Sequence, residues 1–300
     1  MGNSIIPGAG PREFDTKCKI TEVGNKDSKK VVLALGSLIH RGKSAWGNMP
    51  EIVSKDFDAK FVSFDWPKKE YNNEQVLSQI EEYIKNSGAE EIVLAGLSFG
   101  NVVTKQLIEK LSPEIKAKIK GNISISGVAD FNNLAGMEAV GKLKKVVSNK
   151  VFGILVAKPL LGLAGKTDRG TIGTKKLENF ASKNMVDPNT GISKAILNKH
   201  IKAASLGLTP GLVDRFGKML ENDYSFPSTE NIDNEIKTFS IYSSNDPTFN
   251  NPKENAQKVL QGKNNGKLIE IKDGGHAALV EQPKKYDKEI KKILFEIFKK

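Results

Sequence analysis

A single cysteine in three hundred residues excludes an internal disulfide and any zinc site built on several thiolates. Histidine is nearly as scarce, so imidazole chemistry must come from His40, His200 or His276. No uninterrupted apolar run reaches the ~18 residues of a membrane-spanning helix, and none is expected. The start, Met1-Gly2-Asn3-Ser4-Ile5-Ile6-Pro7, lacks a basic patch followed by an apolar core, so it does not read as a secretory signal. The expected location is the reducing cytoplasm. No DNA- or RNA-binding signature occurs, and nucleic acid is not expected as a partner.

Charge is present in quantity, and unevenly. The chain carries a net charge of +11. Residues 141–202 hold thirteen Lys or Arg against three acids (Asp168, Glu178 and Asp187), so nearly all of the excess is there. Such asymmetry suggests an anionic surface or partner, although a solvated lysine face would produce it too. With 38% hydrophobic and 27% charged residues, the composition is that of a globular chain. Its length suits one domain carrying a large insertion.

From residue 30 the chain alternates short apolar runs with longer amphipathic ones, the pattern of a parallel sheet wrapped by helices. Strands are expected at 31–35, 61–64, 92–95 and 122–125, with helices at 46–54 and 74–85 between them. The alternation stops near residue 128 and resumes near 237, with strands at 238–242 and 267–271 and helices at 251–260 and 284–298. The expected organisation is an N-terminal segment, 1–29, with an edge strand near 17–23. The sheet-and-helix domain, 30–127 and 237–300, follows, interrupted by a basic, mainly helical insertion, 128–236.

Chemistry concentrates at Gly96-Leu97-Ser98-Phe99-Gly100. The β-prone run Ile92-Val93-Leu94-Ala95 precedes it, and Asn101 to Ile108 follows with apolar residues at helical spacing. A strand, a sharp turn with serine at its apex and a helix form a nucleophile elbow. The glycines are needed because the turn is strained and brings strand and helix too close for a Cβ. A serine hydroxyl needs a base to take its proton. His276, in Asp273-Gly274-Gly275-His276 just past the last strand, is placed to return to the elbow. The base in turn needs a carboxylate to fix its tautomer. Asp246, in Ser244-Asn245-Asp246-Pro247, follows the strand at 238–242, and its rival is Asp130, after the strand at 122–125. For an oxyanion, the Phe99 amide is one expected backbone donor, and the Ser37 amide the second, with Leu38 as alternative.

These residues resemble those of the α/β-hydrolase superfamily over roughly 30–127 and 237–300. The elbow, the acid turn Asn245-Asp246-Pro247 and the tail Gly275-His276 with Glu281-Gln282-Pro283 carry the likeness. The resemblance implies a mostly parallel α/β sheet with a cap insertion, with Ser98 as nucleophile, Asp246 as acid and His276 as base. Many members begin the oxyanion loop with His-Gly, where this chain has Leu35-Gly36. The expected activity is hydrolysis of a carboxylic ester through an acyl-enzyme, without cofactor or metal. An apolar or lipid-like substrate is favoured, because apolar stretches at 151–157 and 160–163 lie beside basic residues and could roof the site or rest on an anionic membrane. Acyl transfer, thioester cleavage, or binding of a lipid or partner without catalysis are the alternatives.

Overall fold

The computed structural model describes residues 17–37, 43–67, 73–129, 236–276 and 278–298. They build one seven-stranded sheet in the order β1-β3-β2-β4-β5-β6-β7. The strands are β1 (Lys19–Val23), β2 (Lys30–Leu35), β3 (Lys60–Asp65), β4 (Glu91–Leu97), β5 (Ile119–Ile125), β6 (Lys237–Ser243) and β7 (Gly266–Ile271). Only the edge strand β1 runs antiparallel, against β3; every other pairing is parallel.

The strands read as near-continuous apolar runs because both faces of a parallel sheet are covered. Along β2, Val31, Leu33 and Leu35 point into one core, while Val32 and Ala34 point into the other. The first core is closed by α2 (Asn73–Asn86) and α3 (Gly100–Lys110), the second by α1 (Met49–Asp56) and by α7 (Pro283–Phe298), which follows the shorter elements named below. In α7, Tyr286, Ile290, Ile293, Leu294 and Ile297 form one buried stripe at helical spacing. Each such apolar side chain removed from water contributes about 1.5–3 kcal/mol.

All the strands expected from the sequence are present, several a residue or two longer. The expected helix at 46–54 is divided: a 3-10 turn at Lys43–Trp46 ends at Gly47, whose φ of +56° breaks the helix before α1 begins. Two four-residue helices, α4 (Pro113–Lys116) and α6 (Ala278–Glu281), were too short for a periodic signal. Between them α5 (Pro252–Val259) starts at Asn251, whose side chain accepts the Glu254 amide. The N-terminal segment before Lys17 and nearly all of the stretch expected to form a cap lie outside the described residues. Among the described residues, no helix is long and apolar enough to cross a membrane.

Chain direction locates the site. From β2 the chain moves to β3 on one side, whereas β4 pairs with β2 on its other side. Loops leaving the carboxyl ends of β2 and β4 therefore diverge, and such a switch point opens a crevice. Ser37 and Ser98 follow those two strands.

Candidate active site

The turn after β4 is held in a conformation that only overlapping restraints maintain. Ser98 has φ +53°, a left-handed backbone that costs a non-glycine residue about 1–2 kcal/mol. Three main-chain hydrogen bonds hold it there: its amide donates to the Ile125 carbonyl (2.9 Å), and its carbonyl accepts from Asn101 (3.1 Å) and Val128 (3.2 Å). The buried Asn101 amide group also donates to the Val128 carbonyl at 3.1 Å, fastening the end of β5 to the elbow. The glycines are steric necessities. A Cβ on Gly96 would lie 2.7 Å from the Asn101 backbone, and one on Gly100 would lie 1.8 Å from the Leu35 carbonyl oxygen. That second approach presses the start of α3 against the end of β2, next to Ser37.

The serine, histidine and carboxylate proposed from sequence come together. The Ser98 hydroxyl lies 2.9 Å from His276 Nε2, and His276 Nδ1 lies 2.8 Å from Asp246 Oδ2. This geometry suits a tautomer in which Nδ1–H donates to Asp246 and Nε2 accepts from Ser98. Asp246 is buried at 3% exposure, and its second oxygen, Oδ1, accepts the Thr248 amide at 2.9 Å. It is thus both a turn residue and the histidine's partner. Burial by itself would push the His276 pKa down. The Asp246 carboxylate, by charge and hydrogen bond, and the charge of Glu281 outweigh burial and hold it above the ordinary histidine value. The Phe249 ring packs edge-on against the imidazole, with centroids 5.6 Å apart.

On the β2 side, Trp66 joins the two amides expected to face an oxyanion. Its indole N–H donates to the Ser37 carbonyl at 2.9 Å, and its ring meets the buried Phe99 ring edge-on at 6.0 Å. Leu38, His40, Asp130 and His200 lie outside the described residues.

Sequence reasoning missed the residues that hold the histidine loop. Gly275 N–H donates to Glu281 Oε2 at 2.9 Å, and the Gln282 side chain donates to the Asp273 carbonyl at 2.6 Å. Lys285 donates to the Lys272 carbonyl at 3.0 Å and pairs with Asp273 at 3.2 Å, while the buried Ser243 hydroxyl donates to the Gly274 carbonyl. Pro283 then opens α7 at a position that needs no amide donor. The only sequence signal was the run Glu281-Gln282-Pro283, legible as a likeness without a role.

Solved structures of similar shape are numerous. A thermophilic esterase from Thermogutta terrifontis superposes with a TM-score of 0.63 at 15% identity, over 94% of each chain. An α/β-hydrolase enzyme from a Medee basin deep-sea metagenome library gives 0.62 at 17% identity, again over 94% of each chain. A bromoperoxidase from Bacillus anthracis gives 0.65 at 13% identity, over 92% of this chain and 94% of its own. The chain has the α/β-hydrolase fold. No family model matches the sequence, and no curated protein sequence matches it.

Proposed function

We propose that the protein is a serine hydrolase that cleaves a carboxylic ester through an acyl-enzyme. The observation that carries this reading is the continuous relay from Ser98 Oγ through His276 to Asp246, at 2.9 and 2.8 Å, with the serine raised on a strained elbow. His276 Nε2 takes the hydroxyl proton as Ser98 attacks the substrate carbonyl, and returns it to the departing alkoxide. The acyl-enzyme is then opened by water, whose proton follows the same route. Asp246 keeps the ring in the productive tautomer and stabilises the imidazolium. The Phe99 and Ser37 amides stabilise the tetrahedral oxyanion, helped by the N-terminal dipole of the eleven-residue α3.

An apolar acyl group is the proposed substrate class, supported by the apolar sequence of 151–157 and 160–163 in the region expected to form the cap. The lysine-rich stretch 141–202 supports docking on an anionic lipid surface, which salt-sensitive binding to anionic vesicles would reveal. A chain-length series of p-nitrophenyl esters, read with wild type and Ser98→Ala, tests the hydrolase reading, and labelling by a fluorophosphonate reports the nucleophile separately. Activity that rises with chain length and disappears with Ser98→Ala is expected. Activity that survives the substitution overturns the nucleophile, and indifference to chain length overturns the apolar substrate.

A further inference from the structure

The loop carrying His276 is poor in restraints of its own. It reads Lys272-Asp273-Gly274-Gly275, with Asp273 at φ +62°, and two successive glycines lose more conformational freedom on ordering than other residues. Side chains from β6, α6 and α7 must hold it, and they differ in kind. Gln282 acts from a half-buried position and Lys285 from an exposed one, and Ser243 is neutral. Glu281 is a buried carboxylate, 9% exposed, that accepts the Gly275 amide one residue before the histidine.

That choice is expensive if the task is only to satisfy an amide. A glutamine oxygen would accept the same hydrogen bond without the desolvation cost of a charge. The surroundings show where the charge acts. His276 is faced by Asp246 from the β6–α5 loop and by Glu281 from α6, and both carboxylates favour its protonated form. Tyr286 of α7, fully buried, faces both carboxylates and the Ser126 hydroxyl. Burial first, then those two negative charges, raise the Tyr286 pKa far above its usual value, so it remains a neutral phenol beside them. Both carboxylates therefore favour the imidazolium.

We propose that Glu281 is a second carboxylate for His276, a positioning residue that fixes the loop through the Gly275 amide and sets, by its charge, the pH at which the histidine takes up a proton. Its consequence for catalysis rests on Ser98, His276 and Asp246 acting as nucleophile, base and acid. During attack the proton moves from Ser98 Oγ to His276 Nε2, and Glu281 neither gains nor loses one. Its negative charge stabilises the ring while the ring is positive. Asp246 does so from direct contact, Glu281 from its seat on the Gly275 amide.

The test separates charge from contact, and separates both from the assignment of activity. With three histidines in the chain, imidazole nitrogen resonances can be titrated by NMR, and His276→Ala identifies the one of interest. Glu281→Gln keeps an acceptor for Gly275 and removes the charge. It is expected to lower the His276 pKa by about 0.5–1 unit, and to move the acid limb of kcat/KM for a p-nitrophenyl ester to lower pH by the same amount. Glu281→Asp keeps the charge and withdraws the acceptor. It is expected to leave the titration within about 0.3 unit while lowering kcat several-fold with KM little changed. An unmoved His276 titration in Glu281→Gln overturns the electrostatic role, and a wild-type kcat in Glu281→Asp overturns the positioning role. Should Glu281→Gln not fold, a His276 titration in Glu281→Asp displaced as far as expected for Gln overturns the charge assignment. A shifted titration in a protein that cleaves no ester would keep this proposal and discard the hydrolase reading instead.

Discussion

The two halves of the site are held by different physics. Ser98 is fixed sterically: glycines on either side let strand and helix approach within distances that no Cβ survives, and main-chain hydrogen bonds close the turn. His276 is fixed by polar side chains reaching back from α6 and α7 to a glycine-rich loop. A steric lock fails all at once, whereas a polar lock fails by degrees and can transmit charge. Substitutions at the elbow should thus cost folding or all activity, and those around the histidine should tune rate and pH dependence.

The largest effect is expected from Ser98→Ala, which should lower kcat/KM for a p-nitrophenyl ester by about four orders of magnitude or more. The denaturation midpoint should hardly move. Ser98→Gly sharpens the point, because it removes the proposed nucleophile and relieves the left-handed backbone at φ +53°. It should raise stability by about 1 kcal/mol in urea titration while abolishing turnover. Next comes Gly100→Ala, which would place a methyl 1.8 Å from the Leu35 carbonyl oxygen. A loss of at least about 3 kcal/mol, or failure to fold, is expected from that overlap. A soluble, active Gly100→Ala protein would remove the distinction between the two locks.

Legibility followed the same division. The elbow was readable because its code is local: five residues between an apolar run and a helical stripe. The parallel sheet was readable because buried strands are short and continuously apolar, and Asp246 and His276 could be placed because each follows such a strand. The anchors of the histidine loop were not readable. Glu281, Gln282 and Lys285 look like surface residues of a short helix and its neighbour, and only the fold shows that one of them is buried against Gly275. Trp66 follows the strand expected at 61–64 with no local signal of a role, and its link to Ser37 and Phe99 depends on the pairing of β3 with β2. The division at Gly47 was hidden because a glycine inside a helical pattern does not announce a positive φ.

The histidine side also makes a prediction about pH. The raised His276 pKa means that the proposed base is protonated, and idle, over a range where an ordinary histidine of about 6.5 is already neutral. The acid limb of kcat/KM should therefore lie above that value, and Asp246→Asn should shift it downward while reducing kcat. An acid limb at or below the ordinary histidine value would contradict the pairing.

A buried charge on the elbow side should behave differently, as a stability effect. Lys105, on α3, is 5% exposed, and burial pushes its pKa down to about 8, with only the charge of Glu109 opposing. In the unfolded chain it titrates near ~10.4, so between these values the unfolded state binds more protons and stability rises with pH. Lys105→Met should therefore stabilise the protein by about 2 kcal/mol at pH 7 and flatten that rise. Urea midpoints at pH 7 and pH 10 measure it, and an unchanged slope would show that the amine is solvated.

The smallest effect should come from Trp66→Phe, and it is where the two locks meet. The indole donates to the Ser37 carbonyl at 2.9 Å while packing on Phe99, the residue whose amide is the other proposed oxyanion donor. Phenylalanine retains most of the packing and loses the donor, which takes one partner from the carbonyl of the buried Ser37 and costs about 1 kcal/mol. If Ser37 only shapes the end of β2, that loss will appear in the urea midpoint and nowhere else. If the amides of this loop contact the oxyanion, a carbonyl freed to rotate also loosens the Ser37 backbone that carries them, and kcat should fall several-fold with KM unchanged. Turnover reports the oxyanion role and the midpoint reports the hydrogen bond, so the one substitution decides whether Trp66 belongs to the steric frame of the elbow or to the catalytic loop beside it.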